Sequence, residues 1–157
     1  YHVAPSQINL EITETAAAHS DMLENNIKLL HKQGIEFSLD DYGSGYSNTD
    51  YLFRFPFRIV KIDKTILWEA FKNEKAMIAL RNTIRMIKEL GLEIVVEGVE
   101  NQEYVDYLTE QHCDYLQGYF YSKPIPDRDF LELLRRENAQ YYTERFSKNE
   151  LSDIITT

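Results

Sequence analysis

The sequence is short of several things, and each shortage excludes something. It has one cysteine, Cys113, in 157 residues. A lone thiol builds no disulfide framework and no cysteine-ligated metal site, and it fits a reducing, cytoplasmic compartment. The four histidines, His2, His19, His31 and His112, stand at no metal-ligand spacing. Cations are the minority: 17 Lys and Arg face 26 Asp and Glu, a formal net charge of −9. That balance opposes a nucleic-acid polymer, whose phosphates demand clustered cations. It leaves room for a small phosphorylated ligand if metal ions bring positive charge. No apolar run nears the roughly 20 residues of a membrane-spanning helix. There is no signal peptide and no initiator Met, and the abrupt opening at Tyr1 reads as a piece of something longer.

What is present is a foldable, alternating pattern. The hydrophobic fraction is 43% in a chain the size of one ordinary domain. Apolar runs at 8–12, 35–39, 58–62, 92–96 and 115–119 read as strands, the middle three continuous enough to be buried on both faces. Helical spacing appears between them. It occurs at 21–33 (Met22, Leu23, Ile27, Leu30, stopped by Gly34) and at 74–90 (Ile78, Ile84, Ile87, stopped by Gly91). Shorter helices are expected at 101–111 and 127–138, the latter after Pro126 with Asp127 as a cap. Residues 139–155 read as a final polar helix or linker. Strand and helix alternating predict an α/β parallel sheet. Length alone favours a flavodoxin-like open sheet, in which ligands gather at one switch point. In a barrel every strand aims its C-terminal end at one central site.

The strand ends favour convergence. In order, they finish in Glu11 and Glu14, then Asp40 and Asp41, then Lys61 and Asp63, then Glu97 and Glu100, then Gln117 and Gly118. Acids gathered at one end repel one another unless cations sit among them, and carboxylate oxygens suit Mg²⁺ or Mn²⁺. Adjacent aspartates can serve two metals, the arrangement used for in-line phosphoryl chemistry. Lys61 adds a positive charge for a phosphate oxygen or an attacking water. The loop Gly43-Ser44-Gly45-Tyr46-Ser47 lacks the Gly-Lys-Ser/Thr ending of a Walker loop, and its glycines suggest a tight or mobile turn over the site.

Each residue alone has a bland reading. An acid at a strand end is more often a helix cap than a ligand, and Asp63 and Glu100 fit that role. A single lysine is usually a surface lysine. Trp68 and the 11 tyrosines are mostly packing, with Tyr119 and Tyr121 as lesser candidates for base stacking. Cys113 fits a small buried residue. Five strand ends behaving alike outweigh these readings.

The segments "LEITE", "DDYGSGYSN", "VKIDK", "VVEGVE" and "LQGYFYSKP", in that order across about residues 7–134, resemble the C-terminal portion of an EAL domain, the cyclic di-GMP phosphodiesterase family. The resemblance implies a partial TIM-like (β/α) barrel of about five βα units with N-terminal units missing. Residues 1–138 would be the EAL portion and 139–157 a terminal helix or linker. It implies hydrolysis of cyclic di-GMP to linear pGpG in the intact parent domain, with Mg²⁺ or Mn²⁺ in a two-metal site. By the same resemblance Glu11, Asp40 and Asp41 are metal ligands, with Asp40 bridging. Lys61 orients the hydrolytic water, and Glu97 is the catalytic base or a second-metal ligand. Glu14 and Glu100 hold the loop bearing Gly43 and Gly45, and Gln117 contacts ligand or water.

One departure matters. The Glu-Ala-Leu motif and an asparagine ligand of the family precede Tyr1 in family order, so the fragment alone is expected to be inactive. Expected partners are cyclic di-GMP, the missing N-terminal part or a second copy, and sensory or cyclase domains of the parent, which another domain could anchor to a membrane. A non-catalytic cyclic di-GMP receptor is the alternative. A Schiff-base lyase using Lys61 fits poorly, because acids flank that lysine.

Overall fold

The computed structural model describes residues 3–17, 21–45 and 49–145. His2, His19, the loop residues Tyr46 and Ser47, and the expected helix beyond Arg145 lie outside them. The chain divides into two compact units, residues 1–121 and 122–157.

The first unit is a five-stranded sheet in the order β1-β2-β3-β4-β5. The strands are β1 (Asn9–Thr13), β2 (Glu36–Tyr42), β3 (Ile59–Ile62), β4 (Glu93–Val96) and β5 (Tyr115–Leu116), and every neighbouring pair is parallel. The helices are α1 (Glu14–Ala17), α2 (Asp21–His31), α3 (Asp50–Arg54), α4 (Lys64–Ala70), α5 (Glu74–Glu89) and α6 (Gln102–Glu110). The sequential order overturns the flavodoxin-like expectation. A doubly wound sheet reverses direction and gives order 2-1-3-4-5. Crossovers that always step to the next position give a stretch of (β/α) barrel, a partial TIM-like fold.

The interior is set by the central strands. Leu39, Val60, Ile62, Ile94 and Val96 have no exposed surface, and Ile84, Ile87 and Leu108 pack the helices over them. Each such side chain contributes about 1.5–3 kcal/mol by leaving water. β1 differs: four of its five residues are exposed, as suits a strand with a neighbour on one side. Asn73 and Asn101 cap α5 and α6, and Asp63 caps α4 through the Thr65 backbone N–H at 2.8 Å. The bland reading of Asp63 therefore holds, whereas the cap expected of Glu100 belongs to Asn101.

Three expectations need correction. Ile78 is exposed rather than in the core. It lies six residues before Ile84, which turns it about 240° away at 3.6 residues per turn, and Leu80 takes the inward place. The strand expected at 115–119 stops at Leu116, because the chain then bends across the end of β4: Val99 N–H donates to Gln117 O (3.1 Å) and Phe120 N–H to Val99 O (3.0 Å). The helix expected over 127–138 does not end there. In the second unit one helix, α7, runs Asp127–Arg145.

Cys113 is the free thiol expected, and it packs against the core. Burial is the main reason its thiol is pushed up to about 12; Asp114 adds to the shift and Lys88 opposes it. Only thiolate reacts, so iodoacetamide at neutral pH is expected to label Cys113 roughly a hundredfold or more slower in the folded protein than after unfolding. Mass spectrometry of the Cys113 peptide over time reads this, and equal rates would show that the thiol is not buried.

Candidate active site

Two consecutive aspartates in a regular strand would point to opposite faces. Here they do not have to. The pairing of β2 with β3 advances from Leu39↔Val60 to Tyr42↔Ile62, so one extra residue is accommodated on β2. Asp41 takes the left-handed conformation, φ 57°. This is a β-bulge, a device that re-aims side chains beside functional sites. It brings the carboxylates of Asp40, Asp41 and Glu97 together, one oxygen of each within 4.8 Å of the others.

Lys61 reaches into this group from β3. Its Nζ lies 2.8 Å from Asp40 Oδ1, 3.0 Å from Glu97 Oε1 and 3.1 Å from Glu11 Oε1. Three acids on β1, β2 and the end of β4 thus share one ammonium. Burial works against the charge on Lys61, but the bonds to Asp40, Glu97 and Glu11 outweigh it and raise the group above the ordinary lysine range. A raised ammonium is stable below its ordinary pKa and deprotonates only at higher pH, so Lys61 is cationic throughout neutral pH. Asp40 Oδ1 is fully buried and lies against the Lys61 ammonium. The donor set of Asp40, Asp41 and Glu97 is all oxygen, the set that hard divalent ions prefer, so these residues fit such an ion.

The supporting residues take distinct places. Glu14 opens α1 rather than ending β1, is 5% exposed, and accepts the Gly43 N–H at 3.1 Å. It therefore touches the loop after Asp41, where Ser44 N–H closes a turn onto Asp41 O (3.0 Å). Gly45 stands in open space. Gln117 Nε2 donates to Glu97 Oε1 at 3.3 Å. Its approach depends on Gly118: a Cβ there would lie 2.0 Å from the Val99 carbonyl oxygen, so only glycine lets β5 come this close. Glu100 is exposed and lines a cavity of about 220 Å³ with Lys64, Trp68, Glu97, Gln117 and Tyr119. The reading of sequence missed Trp68 as a participant. Its Nε1–H donates to Gly98 O at 2.8 Å, and its place one turn after the strand that carries Lys61 was the available signal.

The sequence pattern of the EAL domain matches residues 1–124. The cyclic di-GMP phosphodiesterase RocR of Pseudomonas aeruginosa is 35% identical over 134 residues, covering 84% of this chain and 34% of RocR. The chain thus spans about a third of that relative's length. Among solved structures, the PaMucR phosphodiesterase in complex with c-di-GMP superposes with a TM-score of 0.76 at 32% identity, covering 82% of this chain and 52% of that one. Klebsiella pneumoniae BlrP1, in a manganese/cyclic di-GMP complex, gives 0.72 at 28% identity over 78% of this chain and 31% of that one. A match over most of the residues, together with a sheet that superposes on those structures, establishes that the chain belongs to the EAL domain family.

Proposed function

We propose that the complete protein carrying this chain hydrolyses cyclic di-GMP to linear pGpG and needs Mg²⁺ or Mn²⁺ to do so. The observation that carries the reading is the gathering of Asp40, Asp41 and Glu97 at the strand ends, with Lys61 paired to Asp40 and Glu97, in a member of a family whose relatives are named for this activity. Glu11, Asp40 and Asp41 would hold the ions, with Glu97 as the catalytic base or a second-metal ligand. Bound ions would acidify water and offset phosphate charge.

The chain's own groups do the rest. Glu97 accepts a proton from the attacking water, whose oxygen bonds to phosphorus as the bond to the 3′ oxygen breaks, and that 3′ oxygen leaves as a hydroxyl after taking a proton from solvent. Gln117 fixes one Glu97 oxygen, leaving the other to point at the water. The Lys61 ammonium meets the anionic phosphate or the water. Glu14 steadies the turn after Asp41 through Gly43, which keeps both aspartates in place. The protein works in the cytoplasm, and the remainder of the barrel, or another copy, covers the free strand edges.

One observation favours a second reading, a receptor that binds without cleaving: the Lys61 ammonium pairs with Glu11, Asp40 and Glu97 together, so the acids have a cation of the chain's own. Two arms separate them. Calorimetry with cyclic di-GMP and with single-stranded RNA, each with and without Mn²⁺, should give metal-dependent binding of the cyclic dinucleotide alone. Chromatography should then show pGpG accumulating. Binding without product supports the receptor, and preference for RNA sinks both.

A further inference from the structure

Trp68 is the chain's only tryptophan. It sits on α4, outside the acid cluster, yet its indole N–H is spent on the carbonyl of Gly98, at 2.8 Å. Gly98 directly follows Glu97 and is left-handed, φ 72°. Its seat is tight: a Cβ there would lie 2.3 Å from Lys64 Cβ and 3.0 Å from Trp68 Nε1. The turn leaving Glu97, Gly98 and Val99, is therefore clamped on two sides. Trp68 and Lys64 hold it from α4, and Gly118, just beyond β5, presses on Val99. Lys64 Nζ stands 5.5 Å over the Trp68 ring, so that face is covered rather than offered to a ligand base. What the indole gives the site is its N–H.

We propose that Trp68 is a positioning residue: its N–H fixes the Gly98 carbonyl, in the turn that directly follows Glu97, and thereby sets the aim of the Glu97 carboxylate at Asp40 and Asp41. The inference rests on the metal-dependent reading of this site. A half-buried carbonyl left without its donor carries a desolvation cost that a shift of the turn relieves. Because Glu97 is the preceding residue, its carboxylate moves too, while Asp40 and Asp41 keep their bulge.

The test uses the complete protein. Trp68→Phe keeps the ring and removes the donor; Trp68→Leu removes both. Mn²⁺ affinity is measured by calorimetry, with melting curves on the same samples. Both variants should lose about tenfold, the low end for groups that orient metal ligands, and lose it equally. In a Glu97→Gln background the same substitutions should cost nothing further, because the group being aimed is gone. In the unaltered protein the Trp68 indole ¹⁵N–H resonance should shift when Mg²⁺ is added, and this arm needs no variant to fold. Unchanged Mn²⁺ affinity in Trp68→Phe, a loss confined to Leu, an equal loss in the Glu97→Gln background or a static indole resonance would each overturn the proposal. An unaltered protein that binds no Mn²⁺ overturns the metal reading along with it. One that binds Mn²⁺ while Trp68→Phe is silent overturns the positioning role alone.

Discussion

Glu97→Gln in the complete protein is expected to lower turnover of cyclic di-GMP by roughly 10²–10⁴-fold, the span for loss of a positioned base, while nucleotide affinity stays within a few-fold. The amide keeps the carboxylate's shape and one oxygen, so Lys61 and Gln117 retain an acceptor where they now meet Glu97 Oε1 at 3.0 and 3.3 Å. What disappears is the proton acceptor and one negative charge. The charge loss pulls in two directions. It weakens the hold on a cation, and it eases the approach of an anionic phosphate. Binding therefore changes little and catalysis greatly. Product chromatography at saturating nucleotide, with calorimetry on the same protein, measures both. Turnover near the unaltered value would remove Glu97 from the role assigned to it.

The 157 residues on their own are expected to associate and to show negligible hydrolysis. Within the sheet β1 and β5 are terminal strands. Around β1, Val3, Ile8 and Leu10 are exposed; around β5, Tyr115, Tyr119, Phe120 and Tyr121 are exposed. Open edges template pairing with another chain, and apolar patches add to the pull. A complete barrel has eight strands and about 250 residues. The net charge of −9 opposes association, but salt screens it beyond about 8–10 Å, whereas strand pairing acts at contact, so pairing prevails. Light scattering on the isolated chain should report multimers, and product assays should stay at background. A monomer with the turnover of the complete protein would defeat both halves of the expectation.

Much of the site was legible because polar residues recur at one end of consecutive strands, and parallel strands put those ends on the same side. Glu11, Asp40, Lys61, Glu97 and Gln117 could be found that way, and the geometry brings them into one network. The bulge was hidden. Asp40-Asp41 reads as two acids in a row, and only the pairing with β3 reveals the extra residue. Trp68 was hidden because an aromatic on a helix looks like packing until its N–H has a partner. The helices α3 and α4 are too short, at 5 and 7 residues, to display a helical period. The end of β5 is set by contact between Gly118 and Val99, a long-range effect that no local pattern encodes.

The left-handed turn at Asp41 also bears on how such a site can change over generations. Few side chains sit comfortably at φ 57°; asparagine, aspartate and glycine do. Both alternatives are one nucleotide away from an aspartate codon. A single transition at the first codon position gives asparagine, which keeps the bend and an oxygen but loses the negative charge. The backbone would hardly register the change. A lineage can therefore drop a carboxylate from this cluster while conserving its architecture, so the genetic code leaves a short path from a cleaving domain to one that only binds.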